Sequence, residues 1–179
     1  RKLSGKYHEW FAGKDIGAFT ETVAKFGAAS NVSLEEASTA FGRFQQSFEV
    51  AQGKNTPDYF NKLGSAIAFV GVKSAASEKE IVAVANQISA AGSQFGFTTD
   101  QVVGLSGALA SVRIRPELAR GAFQRIMLGL SSAADEGSEA FDKFAKYTNV
   151  TGDAAIKLFK TNPSEFFHQY IGGIKDSIA

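Results

Sequence analysis

The side chains that most often bind metals or carry out catalysis are scarce in this sequence. It contains two histidines, His8 and His168, and no cysteine. The stretch His8–Ala12 begins like a zinc-protease helix but lacks the second histidine that would complete the ligand pair. The absence of cysteine excludes disulfides, zinc fingers and thiol chemistry. We therefore predict no metal site and no cofactor, with both histidines partly exposed.

Motifs for nucleophilic catalysis and phosphate binding are also incomplete. No Gly-x-Ser-x-Gly elbow occurs, and the Gly-rich stretch Gly92–Gly96 is not followed by the Lys-Ser/Thr pair of a phosphate loop. A Ser/His/Asp triad is set by geometry, which sequence alone does not give. The carboxylates are scattered along the chain. We predict no catalytic residue, and hence that this chain is not an enzyme.

Four arginines lie close together in the sequence: Arg113, Arg115, Arg120 and Arg125. They could contact nucleic acid or another polyanion. They could instead form a solvated helix face with salt bridges to Glu117 and its neighbours. We favour the second interpretation, because the net charge of the whole chain is only +1.

The span Ile81–Val112 carries a single formal charge, at Asp100. It could be a membrane-active or translocated segment, or it could be a buried helix pair or an oligomer interface. Asn86, Gln87 and several serines make it too polar for a spanning helix. We favour burial.

Apolar residues recur every three or four positions along almost the whole chain, which is the period of an amphipathic helix. These stripes run over residues 16–26, 34–51, 60–70, 81–95, 102–112, 118–130, 141–145, 155–159 and 167–178. No segment alternates with period two. The pattern predicts an all-α fold, a multi-helix bundle of eight or nine short-to-medium amphipathic helices.

Capping residues mark where these helices begin. Ser33–Glu36 and Ser77–Glu80 fit the capping box, in which a serine oxygen and a glutamate satisfy each other's backbone amides. Further starts are predicted at Thr56-Pro57, Thr99-Asp100, Thr151-Gly152-Asp153 and Asn162-Pro163. Many glycines fall inside the helical stripes, which favours closely packed helices, either within the chain or against neighbouring copies.

The middle of the chain resembles phage tail tape measure proteins. The resemblance runs from about Leu63 to Ser177 and rests on the order of several loose motifs. These are Ser77-Glu-Lys-Glu-Ile81, Ile88-Ser-Ala-Ala-Gly92, Phe97–Val112, Ile114-Arg-Pro-Glu117, Ala119–Met127, Phe144-Ala145 and Asn162–Ile174. Arg113 departs from the family pattern, which has glycine before Ile114, and this leaves the local turn geometry open.

The resemblance implies a protein inside the tail tube that sets tail length and takes part in genome ejection. Its implied location is the virion, in the tail lumen or tip, after assembly in the host cytoplasm. Implied partners are tail tube proteins, tail tip or baseplate proteins and tail assembly chaperones, with transient contact to the host membrane and the exiting DNA. A homo-oligomer is expected, with a trimer favoured.

The division of the chain follows from the same resemblance. We predict an N-terminal helical segment at residues 1–55, accepted on helical pattern alone, and a tape-measure-like helical core at residues 56–179. The whole is expected to be a fragment of a longer chain. Two alternatives stay open: a membrane-active or secreted helical effector, and a small hydrolase built on a helical bundle.

Overall fold

A computed structural model describes residues 13–48 and 56–178, and over these residues the chain is helical with no strand. The described part contains nine α-helices: α1 Gly13–Ala29, α2 Leu34–Ser47, α3 Thr56–Lys73, α4 Glu78–Gln94, α5 Thr99–Ser111, α6 Pro116–Glu136, α7 Ser138–Ala145, α8 Gly152–Thr161 and α9 Pro163–Ile178. The predicted all-α multi-helix fold is confirmed. The predicted continuation of the second stripe to Ala51 lies outside the described residues.

The described chain divides into two compact units. The first unit contains residues 13–48, 56–90 and 98–119, and the second contains residues 91–97 and 120–178. The predicted boundary between residues 55 and 56 adjoins residues 49–55, which lie outside the described chain. The division into 1–55 and 56–179 therefore stays a prediction.

The core of the first unit is built around phenylalanine rings from three helices. Phe19 of α1 meets Phe60 of α3 edge to face, with ring centroids 5.0 Å apart. Phe41 of α2 lies 5.2 Å from Phe26 and 5.9 Å from Phe60. Aromatic pairs in this range add to the burial of their area. A small residue completes the packing between α3 and α5, where a Cβ at Gly107 would collide with the side chain of Val70.

The core of the second unit contains two further aromatic groups. In one of them, Phe123 of α6 lies 5.4 Å from Phe97 and 5.8 Å from Phe167. The other contains the fully buried rings of Phe141, in α7, and Phe166, in α9, whose centroids are 5.0 Å apart. Phenylalanine stripes at helical spacing are therefore core residues here, as the sequence pattern predicts.

Both predicted capping boxes form. The Glu36 amide donates to the Ser33 hydroxyl at 3.2 Å and the Ser33 amide donates to the Glu36 carboxylate at 3.0 Å. At the start of α4 the corresponding distances for Ser77 and Glu80 are 3.4 and 2.8 Å. Each box satisfies two backbone donors that the first helical turn leaves free.

The remaining predicted starts hold with adjustments. The N-cap of α5 is Thr98, one residue before the predicted start, and it forms a third capping box with Gln101. Thr151 is the N-cap of α8, but its side chain makes no capping hydrogen bond. The Gly152 amide donates to Asp142 instead, at 2.9 Å.

Helices α4 and α5 end in the same backbone motif around different residues. After α4, the Gly96 amide donates to the Ser93 carbonyl and the Phe97 amide to the Gly92 carbonyl. After α5, Arg113 and Ile114 make the equivalent bonds to Ala110 and Leu109. This is the Schellman motif, which places its central residue in the left-handed region.

After α4 this residue is Gly96, with φ +78°, and after α5 it is Arg113, with φ +58°. The Gly92–Gly96 stretch is thus a helix end. The departure at Arg113 has a physical meaning as well, since a side chain occupies a conformation that favours glycine.

Replacing Arg113 with glycine should stabilise the first unit. The substitution relieves a left-handed conformation that costs a non-glycine residue about 1–2 kcal/mol. Part of this gain is offset, because glycine loses more backbone entropy on folding than arginine does. We expect the free energy of unfolding, from urea denaturation, to rise by about 0.5–1 kcal/mol. Gly96→Ala changes the same motif position after α4 and is the matched control. It should lower the free energy of unfolding. A lower stability in Arg113→Gly would contradict this account.

Candidate interaction surface

The structure does not bring the sequence-selected histidines together. His8 lies outside the described residues, and His168 is exposed on α9. Among residues 13–48 and 56–178, no group of three or more His, Asp or Glu side chains is arranged to hold a metal ion. The absence of a metal site in the whole chain stays a prediction.

The weakly charged span Ile81–Val112 forms most of α4 and the whole of α5, joined by a short turn. Many of its apolar side chains are buried, including Ile81 and Ile88 in α4 and Val102 and Val103 in α5, whereas Val112 at its end is 68% exposed. None of the described helices is both long enough and apolar enough to cross a membrane. The span thus forms two helices that contribute to the cores, which agrees with the favoured helix pair, while the oligomer interface stays a prediction.

All four arginines of the predicted cluster are exposed. The expected salt bridges to Glu117 and its neighbours do not form, because the described ion pairs involve lysines and none of these arginines. Arg113 and Arg115 line one depression in the first unit, whereas Arg120 and Arg125 belong to the second unit. The prediction that these side chains are solvated is right, but they do not form one helix face, because Arg113 and Arg115 lie between α5 and α6. The predicted salt bridges are absent from the described residues.

We call residues 112–118, between the end of α5 and the first turn of α6, the α5–α6 corner. It combines guanidinium groups with exposed apolar side chains: Val112 is 68% exposed and Leu118 is 53% exposed. Arg113, Ile114 and Arg115 border a depression of about 460 Å³ that also contains Glu80. Hydrogen bonds from the backbone and hydroxyl of Ser77, with a smaller contribution from Arg113, lower the pKa of Glu80.

A second exposed apolar surface lies on α3. Phe69 is 63% exposed and Val72 is 80% exposed, although both are large and apolar. Phe69 borders a groove of about 680 Å³ whose lining includes Asp58 and Asp100. Helical periodicity did not single out these residues, because they lie beside the buried stripe. An apolar residue off the core face of its helix is the signal that could have identified them.

A groove of about 420 Å³ lies between α2 and α4 in the first unit. Across it, the Lys79 ammonium lies 3.0 Å from the Glu36 carboxylate. Hydrogen bonds from the Ser33 hydroxyl and from Lys79 lower the pKa of Glu36 to about 2. Elsewhere in the unit, burial raises the pKa of Tyr59 to about 12, and its hydroxyl lies 3.1 Å from that of Thr99.

These surfaces are suited to binding another macromolecule. Three described carboxylates have lowered pKa values: Glu36 and Glu80 are engaged in helix caps, and Glu21 pairs with Lys25. The α5–α6 corner exposes large apolar side chains together with guanidinium groups that are outside any described ion pair, and α3 exposes large apolar side chains. Apolar area and arginine are typical of protein–protein contacts. The geometry of these surfaces thus favours the binding of another macromolecule.

Comparison with known proteins identifies the family. A family model described as phage-related minor tail protein matches residues 9–176, which is nearly the whole chain. The match extends N-terminally beyond the region Leu63–Ser177 that resembles tape measure proteins. No curated protein and no solved structure matches the chain.

The Glu36 cap should make stability depend on pH. Because the folded pKa of about 2 lies below the ordinary value of 4.5, the carboxylate stabilises the fold above pH 4.5 and loses this effect as the pH falls towards 2. We expect the melting temperature to fall less over this range in Glu36→Gln than in the wild type.

The matched control is Glu35→Gln, one position earlier on α2, which removes the same charge and leaves the Ser33 and Lys79 contacts in place. Its pH profile should follow that of the wild type. Equal acid profiles for the wild type and Glu36→Gln would contradict the assignment.

Proposed function

The chain belongs to the phage-related minor tail protein family, and we propose that within the phage tail it is a segment of the tape measure protein. In this role it sets tail length inside the tail tube and takes part in genome ejection. The observation that carries the proposal is the family match over residues 9–176, joined to an all-helical fold in the described residues. The tape-measure-like motif order from Leu63 to Ser177 supports the finer assignment.

The structural role is supported by the surfaces. Large apolar side chains are exposed at the α5–α6 corner and on α3, away from the cores of the units. We propose these as contacts with tail tube, tail tip or assembly-chaperone proteins, or with further copies in a trimer. The chain would then act by assembly and have no catalytic role, in the tail lumen or at the tail tip.

A protein that sets tail length must extend along the tail tube. The longest described helix, α6, has 21 residues, or about 32 Å at 1.5 Å per residue. As a single helix, all 179 residues would span about 270 Å. We therefore propose that the compact form precedes an extended form that acts inside the tube.

Deleting residues 138–178, which contain α7 to α9, from the gene in the phage should shorten the tail. The deletion removes roughly 40 residues, which correspond to about 60 Å of α-helix. We expect the distribution of tail lengths in electron micrographs to shift by about that amount while remaining narrow, because a ruler determines length by its own extension.

The decisive control replaces residues 138–178 with an unrelated helix-forming sequence of the same length. Wild-type tail length should return, since a ruler responds to length. Unchanged tail length in the deletion would contradict the proposal. Loss of tails in both variants would also contradict it, by showing that assembly requires the sequence of this segment and not its length.

A further inference from the structure

Helices α3 and α5 pack against each other in the first unit. Near their N-terminal ends, the Tyr59 hydroxyl of α3 lies 3.1 Å from the Thr99 hydroxyl of α5. Further along both helices, a Cβ at Gly107 of α5 would collide with the side chain of Val70 of α3. The two helices therefore run in the same direction, with both N-termini at one end of the pair and both C-termini at the other.

The two ends of this helix pair differ in charge. Asp58 and Asp100 lie in the first turns of α3 and α5, and both line the groove of about 680 Å³ beside Phe69, which we call the α3 groove. The opposite end carries Lys73 in the last turn of α3 and the α5–α6 corner directly after α5. About 16 Å of helix separates Asp100 from Ser111, so the aspartates and the arginines of the corner are too far apart to pair within one copy.

The α5–α6 corner has a backbone conformation that the stability of the fold does not explain. Arg113 adopts φ +58°, where glycine would be more stable. Strain of this kind is concentrated at functional sites. The guanidinium groups of Arg113 and Arg115 are exposed, and so are the apolar side chains of Val112 and Leu118. A contact with an acidic and apolar surface would account for an arginine at this position.

The α3 groove is a surface of that kind. Its two aspartates, Asp58 and Asp100, are exposed and belong to no described ion pair. The ring of Phe69 at its border is 63% exposed. The groove volume falls within the range of about 300–1,000 Å³ that is typical of sites that enclose a bound group. Acidic and apolar groups of one surface thus match basic and apolar groups of the other.

Each surface also carries an opposing charge. Lys62 is the third charged residue that lines the α3 groove, which leaves the groove with one excess negative charge. Residues 112–118 contain two arginines and Glu117, which leaves the corner with one excess positive charge. Glu80 borders the corner, but its carboxylate is engaged by the Ser77 amide at 2.8 Å. The two surfaces therefore remain complementary in charge.

We propose that the α5–α6 corner of one copy docks in the α3 groove of a second copy, so that Arg113 and Arg115 face Asp58 and Asp100. Reciprocal docking would close a two-fold dimer, and one-way docking would build a ring or a linear series of copies. The inference names one of the partners that the proposed function leaves open, and to that extent it rests on the proposed function.

Arg113→Gly separates the proposed contact from the stability of the fold. The substitution should raise the free energy of unfolding of the first unit, yet it removes a guanidinium group from the contact. We expect self-association of the purified chain, measured by sedimentation over a range of concentrations, to weaken about tenfold or more. Arg43→Ala is the control for loss of positive charge, because Arg43 is exposed in the same unit and lines a different groove. It should associate as the wild type does.

Charge reversals test which two surfaces meet. Arg115→Asp and Asp100→Lys each place like charges opposite one another, so each variant alone should associate about tenfold more weakly or less. An equimolar mixture should recover association, because the intact corner of Asp100→Lys meets the intact groove of Arg115→Asp. Asp58→Lys tests the groove from α3 in the same way. Asp153→Lys reverses the charge of an exposed residue in the first turn of α8 and should associate as the wild type does.

Three results would overturn the proposal. The first is a wild type that stays monomeric up to about 1 mM. The second is unchanged association in Arg115→Asp and in both groove variants. The third is a mixture of folded variants, checked by circular dichroism, that does not recover association. None of these results would contradict the proposed role in setting tail length, which is tested separately by the deletion of residues 138–178.

Discussion

The constraint on which both units depend is that each helix must stop and reverse within a few residues. In the described chain, the four residues with positive φ all stand at helix ends: Gly96, Arg113, Gly137 and Gly152. Had the helices run on at these points, their apolar faces could not have met within one short chain. The cores of phenylalanine rings are therefore a consequence of the turns, and the turns depend on a backbone region that most residues avoid.

The burial of apolar side chains stabilises the fold and offsets the cost of the turns. Isolated helices of this length are marginal in water, so their stability must come from tertiary packing. Phe41, Phe60, Phe141 and Phe166 are all fully buried, and each meets at least one other ring within about 6 Å. Gly107 lets α5 approach α3 closely at the cost of helix propensity. Packing and chain reversal thus support each other, while local propensity contributes less.

The sequence was sufficient to predict the class of fold and most helix starts, because apolar period and capping boxes are local signals. Ser33 and Ser77 cap as predicted, whereas the α5 cap at Thr98 was placed one residue late because Thr98 and Thr99 are adjacent. The salt bridges expected around Arg113 failed because side-chain pairing depends on direction across a turn, which spacing does not determine. The exposure of Phe69 and Val72, and the split into two units, depend on long-range packing that no local pattern encodes.

The way the compact form is built bears on how a tail protein could use it. Three helix starts carry capping boxes whose hydrogen bonds do not depend on neighbouring helices, because each box involves residues of one turn. Its reversals are less secure, since one carries an arginine where glycine is favoured and another lacks a side-chain cap. Stress along the chain would therefore open these turns before it breaks the capped helix starts. A segment whose turns open before its helix caps break can lengthen while it keeps its backbone hydrogen bonds, a property that would suit the length-setting role that we propose.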